Sequence, residues 1–160
     1  MEIELTQGYV SYIDPIDADL AESKWTLARR DGSIYGYRMV SEKQKRIAIM
    51  LHREILSRML GRPLLRSEYV DHKDCDGLNN RRENLRLATC ADNQHNSRRR
   101  RDNKTGYKGV SWDKRRQKYV ARIRFNFKRQ FLGYFDTPLD AHKVYCAAAA
   151  DLFGEFARAE

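Results

Sequence analysis

Cysteine is scarce in this 160-residue chain: only Cys75, Cys90 and Cys146, widely spaced, odd in number and forming no CxxC pair. That argues against a disulfide framework and against a cysteine zinc knuckle, and it suits a reducing, cytoplasmic setting. Long apolar runs are missing too, and none approaches the roughly 20 residues that a bilayer span needs. The N-terminus, MEIELTQGYV, begins acidic instead of basic-then-apolar, so no secretory signal is expected. No internal repeat or low-complexity block breaks the chain. What is present, 41% hydrophobic residues over this length, suffices for one ordinary domain or two small ones.

Charge is abundant and unevenly placed. The formal net charge is +9, yet residues 98–130 alone hold 14 Lys/Arg against 2 Asp/Glu. The segments on either side are close to neutral or slightly acidic. One basic segment of this kind is the footprint of a polyanion binder. Its lack of helical amphipathicity disfavours a membrane surface as the partner. An RNA-binding reading would want stacking platforms that the chain does not show.

Residues 1–46 read as a small β-rich segment: YVSYI, then KWTLARRDGSIYGYRMV, a strand, an Asp31-Gly32 turn and a strand. Ile47, Leu51, Ile55 and Met59 recur every four residues, which predicts a helix from Ile47 to Leu60 that Gly61 and Pro63 would stop. His52 sits beside that stripe and reads as a packed or capping histidine. Tyr69-Val70 would end a strand leading into Asp71-His72, and Leu85-Arg86-Leu87 alternates as a second strand. Thr89 and Asp92 resemble a capping box for a helix from Cys90 towards Arg100. Strand, loop, strand, helix makes a ββα unit over residues 47–101. Residues 102–106 read as a linker. Beyond it, YKGVSW, KYVARIRFNF and RQFLGYF predict three strands. Thr137 would cap a last helix whose apolar face is Ala141, Val144, Tyr145, Ala148, Ala149 and Leu152. The class is therefore α+β: a ββα module with a small N-terminal sheet, then a three-stranded antiparallel sheet packed on one helix.

Between Asp71 and Asn96 stand Asn79, Asn80, Asn84, Asn93 and Asn96, beside an Asp-His pair. Asn is mediocre in helices and costly to bury, so a plain core segment would not use it this way. A hard cation such as Mg²⁺ takes oxygen ligands: one or two carboxylates completed by water and phosphate oxygens. Asp71 can supply a carboxylate and Asn93 a carbonyl oxygen. His72 has the intrinsic pKa of a general base near neutrality.

Asp71-His72, then Asn84 after eleven residues and Asn93 after eight more, resembles the His-Asn-His endonuclease motif in its His-Asn-Asn variant. The surroundings, VDHKDCDGLNNRRENLRLAT and DNQHN, are similar to the branch found in phage and intron-encoded homing endonucleases. The resemblance implies His72 as general base, Asp71 and Asn93 as metal ligands, and Asn84 as the brace of the loop that orients His72. It implies one divalent ion, Mg²⁺ or Mn²⁺, and double-stranded DNA as the partner, cut to 5′-phosphate and 3′-hydroxyl ends. Asn93 stands where many relatives have a second His, which favours a hard metal over zinc. His95 is the alternative at that position. No obligate protein partner is evident.

Residues 107–156 resemble the DNA-binding domain of plant ethylene-response (APETALA-type) transcription factors, through YKGVSW, KYVARIRF, FLGYFDTPLDAHKVYCAAA and LFGEFA. In that family the sheet lies in the major groove. The resemblance places Lys108, Ser111, Trp112, Lys118, Arg122, Arg124, Arg129 and Phe131 on it. Strand alternation puts Val120, Arg122, Arg124 and Asn126 on one side, and Tyr119, Ala121, Ile123 and Phe125 on the other. Trp112 suits either the core or the DNA face. Lys108, Ser111 and Asp113 replace basic residues of the family, so target preference does not transfer. The expectation is a metal-dependent endonuclease of homing type. Its rival is a catalytically inactive DNA-binding regulator that uses the C-terminal domain.

Overall fold

Short β-forming runs at the N-terminus pair locally, ahead of the first α-helix along the chain. The structure, a computed structural model, describes residues 1–158 apart from Asp31, Ser97, Arg98, Arg100, Arg101 and Phe127. It is a mixed α+β chain of small antiparallel sheets with three α-helices among the described residues, divided into two units, Met1–Asn93 and Gln94–Glu160. None of the described helices is long and apolar enough to cross a membrane.

In the first unit, β1 (Glu2–Glu4) pairs antiparallel with β2 (Val10–Tyr12). A second sheet has the order β3 (Thr26–Arg30), β4 (Ser33–Glu42), β5 (Lys45–Met50). Arg30 pairs with Ser33; Asp31, half of the expected Asp31-Gly32 turn, lies outside the described residues. The helix predicted from Ile47 begins only at Leu51. Lys45–Met50 is instead a strand, in register with β4 from Glu42↔Lys45 to Tyr37↔Met50. Lys43 and Gln44 both take positive φ (45° and 66°), the conformation of a two-residue hairpin turn whose twist suits antiparallel strands. Ladder hydrogen bonds to β4 outweigh the local four-residue period, and without Gly or Asn at the turn the sequence hides it.

Helix α1 (Leu51–Leu60) follows, closed by Gly61 in the left-handed region (φ 66°). It buries Leu51, Ile55 and Leu56, whereas Met59 and Leu60 of the expected stripe stay exposed. Those three join Ile3, Leu20, Trp25, Val70 and Leu85 in one core. Strand β6 (Tyr69–His72) pairs with β7 (Leu85–Ala88), and α2 (Cys90–His95) completes the ββα order. The capping box is formed reciprocally: the Asp92 carboxylate accepts from Thr89 N at 2.9 Å, and Asp92 N donates to Thr89 Oγ1 at 3.2 Å. The helix ends at His95; most of the remaining expected stretch to Arg100 lies outside the described residues.

In the second unit the sheet order is β10 (Lys128–Phe135), β9 (Lys118–Phe125), β8 (Val110–Asp113). Helix α3 (Pro138–Phe153) packs on it, with Thr137 Oγ1 accepting from Asp140 N at 3.1 Å. Val144 of the predicted apolar face is exposed; Ala141, Tyr145, Ala149 and Phe153 are the buried stripe. Residues 102–106, expected as a linker, are knitted into this unit. Asn103 Nδ2 donates to Tyr107 O at 2.8 Å, and its Oδ1 accepts from Thr105 N and Oγ1 at 2.9 and 2.7 Å. Asx turns of this kind make a polar run ordered instead of loose.

Candidate active site

Strand β6 delivers Asp71 and His72 side by side, and pairing with β7 fixes both: Asp71 lies opposite Arg86, and His72 opposite Leu85. The two are only 3% and 6% exposed. Arg86 donates to Asp71 Oδ2 from Nε at 2.8 Å and from Nη2 at 2.7 Å, which sets the carboxylate's orientation and offsets its charge. Burial pushes His72 below the ordinary imidazole range; a hydrogen bond to Asn80 and the charges of Asp74, Asp71 and Asp76 oppose that shift.

The loop from Lys73 to Asn80 is held by its own amides and carboxylates. Asn84 Nδ2 donates to Asp74 Oδ1 at 2.9 Å and to Asn79 O at 2.7 Å, and Asn84 Oδ1 accepts from Asp74 N at 3.1 Å. Burial raises the Asp74 pKa, but hydrogen bonds from Asp76 N, Asn79 and Asn84 outweigh it, and the net shift is downward. Arg82 is clamped from outside the loop. Its guanidinium meets the fully buried Asp17 at 2.8 Å through both Nε and Nη2, and Asp14 accepts from Arg82 N at 2.7 Å.

Among the described residues, the side chain hydrogen-bonded to the His72 ring is Asn80, which was not singled out as a site residue. Its Oδ1 lies 3.1 Å from His72 Nε2, and its Nδ2 donates to Ser11 Oγ at 2.7 Å. Ser11 belongs to β2, in the N-terminal segment where no chemistry was expected. Tyr35 and His52 complete the surroundings, with ring centroids 6.0 Å and 5.4 Å from that of His72. His52 Nδ1 is buried without a hydrogen-bond partner, and burial first, then the neighbouring His72, pushes the His52 pKa down to about 3.

Of the expected site residues, β6–β7 pairing brings Asp71, His72 and Asn84 into one locus. Asn93 stands exposed on α2, with its backbone N donating to Thr89 O at 3.1 Å. The alternative His95 belongs to the second unit, where its ring stacks on Phe153 at 3.8 Å. Among the described residues no group of three His, Cys, Asp or Glu could by itself hold a metal ion. The available donors are one carboxylate and one amide. That set fits a hard ion completed by water and phosphate and does not fit a structural zinc.

In the second unit, cross-strand pairs Arg124↔Arg129 and Arg122↔Phe131 place these four on one open face. With Ser111 the three arginines line a cavity of about 350 Å³, and among the described residues none of the three is ion-paired. Val120 shares their strand parity but is 1% exposed. Trp112 pairs with Tyr119, the opposite parity to the arginines, and is exposed towards a neighbouring cavity of about 560 Å³ that Lys108 also lines. Lys108 Nζ donates to His95 O at 2.6 Å, and Lys118 pairs with Asp136 at 2.9 Å, so neither stands on the sheet as a spare cation.

A ββα module with a buried Asp-His pair on its first strand and an Asn-braced loop defines a class of metal-dependent nucleases. Comparison with protein families matches residues 50–95 to the HNH endonuclease family. The chain is 31% identical over 96 residues to Protein 3.8 of Escherichia phage T7, covering 60% of this chain and 78% of that protein. It is 34% identical over 109 residues to the uncharacterized HNH endonuclease L560 of Acanthamoeba polyphaga mimivirus, covering 68% of this chain and 56% of that protein. Residues 50–95 are therefore an HNH endonuclease domain, of a family whose members generally depend on a divalent metal. The family match stops at residue 95, short of the three-stranded sheet. No solved structure matches the chain significantly.

Proposed function

We propose that the chain is a metal-dependent DNA endonuclease of homing type. In this reading the first unit carries the nuclease module and residues 107–156 form an ethylene-response-factor-like DNA-binding domain. The observation that carries the reading is the buried His72, held by a neutral amide beside a carboxylate already oriented by Arg86. A neutral imidazole in that place accepts a proton from water as the water oxygen attacks the phosphorus. The bond to the 3′ oxygen breaks, leaving 5′-phosphate and 3′-hydroxyl ends. Asp71 and Asn93 would hold one divalent ion, Mg²⁺ or Mn²⁺. When bound, that ion stabilises charge on the scissile phosphate and the leaving oxygen. The Arg86 contact to Asp71 already satisfies part of the carboxylate's charge, so ion affinity should be weak until DNA adds its phosphate oxygens.

For DNA binding, the support is the open face of Arg122, Arg124 and Arg129 with Ser111 and Phe131 beside them. These arginines are free to meet phosphates or guanine edges. Plasmid cleavage tests the whole reading. Wild-type protein should cut with Mg²⁺ and stop in EDTA. His72→Ala should lose roughly a hundredfold or more in rate while binding DNA within a few-fold in Ca²⁺. If His72→Ala cuts like wild type, the catalytic assignment is wrong. Binding without cleavage by the wild type, under every ion and substrate tried, would make the chain a DNA-binding regulator instead.

A further inference from the structure

We propose that Asn80 and Ser11 are positioning residues that hold His72 in the tautomer protonated at Nε2, so that Nδ1 is the atom that takes the water's proton. The inference deepens the nuclease reading and rests on it. It starts from the direction of a buried hydrogen-bond chain. Ser11 and Asn80 are fully buried, so each polar side-chain atom of these two needs a protein partner; His72 is 6% exposed. The chain begins at a group whose role cannot reverse: the backbone carbonyl of Leu78 only accepts. Ser11 Oγ donates to it at 2.9 Å. Having spent its single proton there, the hydroxyl accepts from Asn80 Nδ2 at 2.7 Å.

A second pair of contacts sets the amide the same way. Asn80 Nδ2 also lies 3.4 Å from Gly77 O and 3.5 Å from Leu78 O, both obligate acceptors. Flipping the amide would set an oxygen against those two carbonyls. The amide oxygen must therefore face His72, where it stands 3.1 Å from Nε2. An amide oxygen cannot donate, so Nε2 carries the hydrogen and the lone pair lies on Nδ1. A neutral amide orients the ring without adding charge beside it.

The relay also explains what the first two strands do for the site. Asn80 N donates to Tyr12 O and Tyr12 N donates to Leu78 O, each at 2.8 Å, so the edge of β2 is stitched along the loop that ends in Asn80. Ser11 is delivered by that strand from 69 residues away in sequence, and it lies outside the family match at residues 50–95. The N-terminal hairpin is therefore part of the active site.

Long-range ¹⁵N–¹H correlation spectra of the ¹⁵N-labelled full chain at neutral pH test this, with His72 assigned by its loss in His72→Ala. The wild type should show the Nε2–H pattern for His72, and an Nδ1–H pattern overturns the proposal without any variant. Ser11→Ala leaves the Asn80 amide only its long contacts to Gly77 O and Leu78 O, at 3.4 and 3.5 Å, so it should loosen the amide, raise the share of the Nδ1–H tautomer and lower kcat for plasmid nicking roughly tenfold or more, with KM unchanged. A folded Ser11→Ala protein with the wild-type spectrum and kcat also overturns it. If Ser11→Ala does not fold, the wild-type spectrum decides. Should the wild type cut nothing, the nuclease reading fails, while the spectrum still shows whether the relay sets the tautomer.

Discussion

His52 shows how far a single side chain's meaning depends on what surrounds it. On a helix beside an apolar stripe it reads as a packed histidine, and packed it is: between Tyr35, 5.2 Å away, and His72. Its buried Nδ1 has no hydrogen-bond partner among the described residues, so protonating the ring would place a buried charge against His72, Arg53 and Arg30. Burial is the main reason its pKa falls to about 3 in the folded chain. Unfolded, the ring titrates near 6.5, so below that pH the unfolded state binds a proton that the folded state refuses. Stability should therefore fall as pH drops from about 6.5 towards about 3, at up to about 1.4 kcal/mol per pH unit for this group. Above about 6.5 it should contribute no slope. Thermal unfolding at pH 7.5 and pH 5 should show the loss. His52→Phe, which keeps an aromatic ring and removes the titration, should shrink that loss to what His72, also lowered by burial, contributes; an unchanged slope would remove His52 as a source.

Among the elements of the first unit, the site loop approaches β4 closely at Gly77. A Cβ on Gly77 would meet Ile34 O at 2.3 Å and the Tyr35 ring at 2.7 Å, so only glycine lets the loop lie against that strand. Gly77→Ala should destabilise the first unit by roughly 1–3 kcal/mol, the range for overpacking. Because Tyr35 neighbours His72, it should also disturb the His72 ring resonances more than those of His142, which lies in the second unit. Denaturant unfolding with imidazole NMR checks both. A stable Gly77→Ala with undisturbed His72 resonances would show that the backbone yields there at little cost. The short α2 depends on a different device. Six residues supply few internal hydrogen bonds, so the Thr89–Asp92 capping box matters more there than in the sixteen-residue α3. Thr89→Ala should cost about 1 kcal/mol, measured by the same unfolding curves.

For the molecule as a whole, the proposed DNA grip depends on which described basic side chains the folded C-terminal sheet gathers on one face. Arg122, Arg124 and Arg129 share one face and a cavity, while Lys108 and Lys118 are engaged elsewhere in their unit. If each of the three arginines meets one phosphate, replacing all three with Ala should lower the slope of log affinity against log salt by about 2.7. Cleavage at saturating DNA should stay near normal. Fluorescence anisotropy on a DNA duplex across a salt series measures the slope, and an unchanged value would place the DNA grip on another surface.

Much of this organisation is written locally. The ββα order, the Thr89–Asp92 capping box, the Thr137 cap, the three C-terminal strands and their helix follow from signals within a few residues of each other: alternation, a Thr three before an Asp, a Pro at a helix start. The candidates Asp71, His72 and Asn84 could be picked out because an Asp-His pair and an Asn at set spacing are visible in one dimension. Where the sequence misled, longer contacts prevailed. The four-residue period from Ile47 lost to ladder pairing with β4, and the polar run at residues 102–106 was drawn into order by Asn103. Asn80 could not be told from its neighbour Asn79, since what separates them is the acceptor each meets. Ser11 carried no signal at all. A serine's single proton and two lone pairs become a directional relay only when folding brings Leu78 O to one side and Asn80 to the other. Residue types and short spacings decided which elements form; burial, which forces every polar atom to find a partner, decided which of these side chains work together.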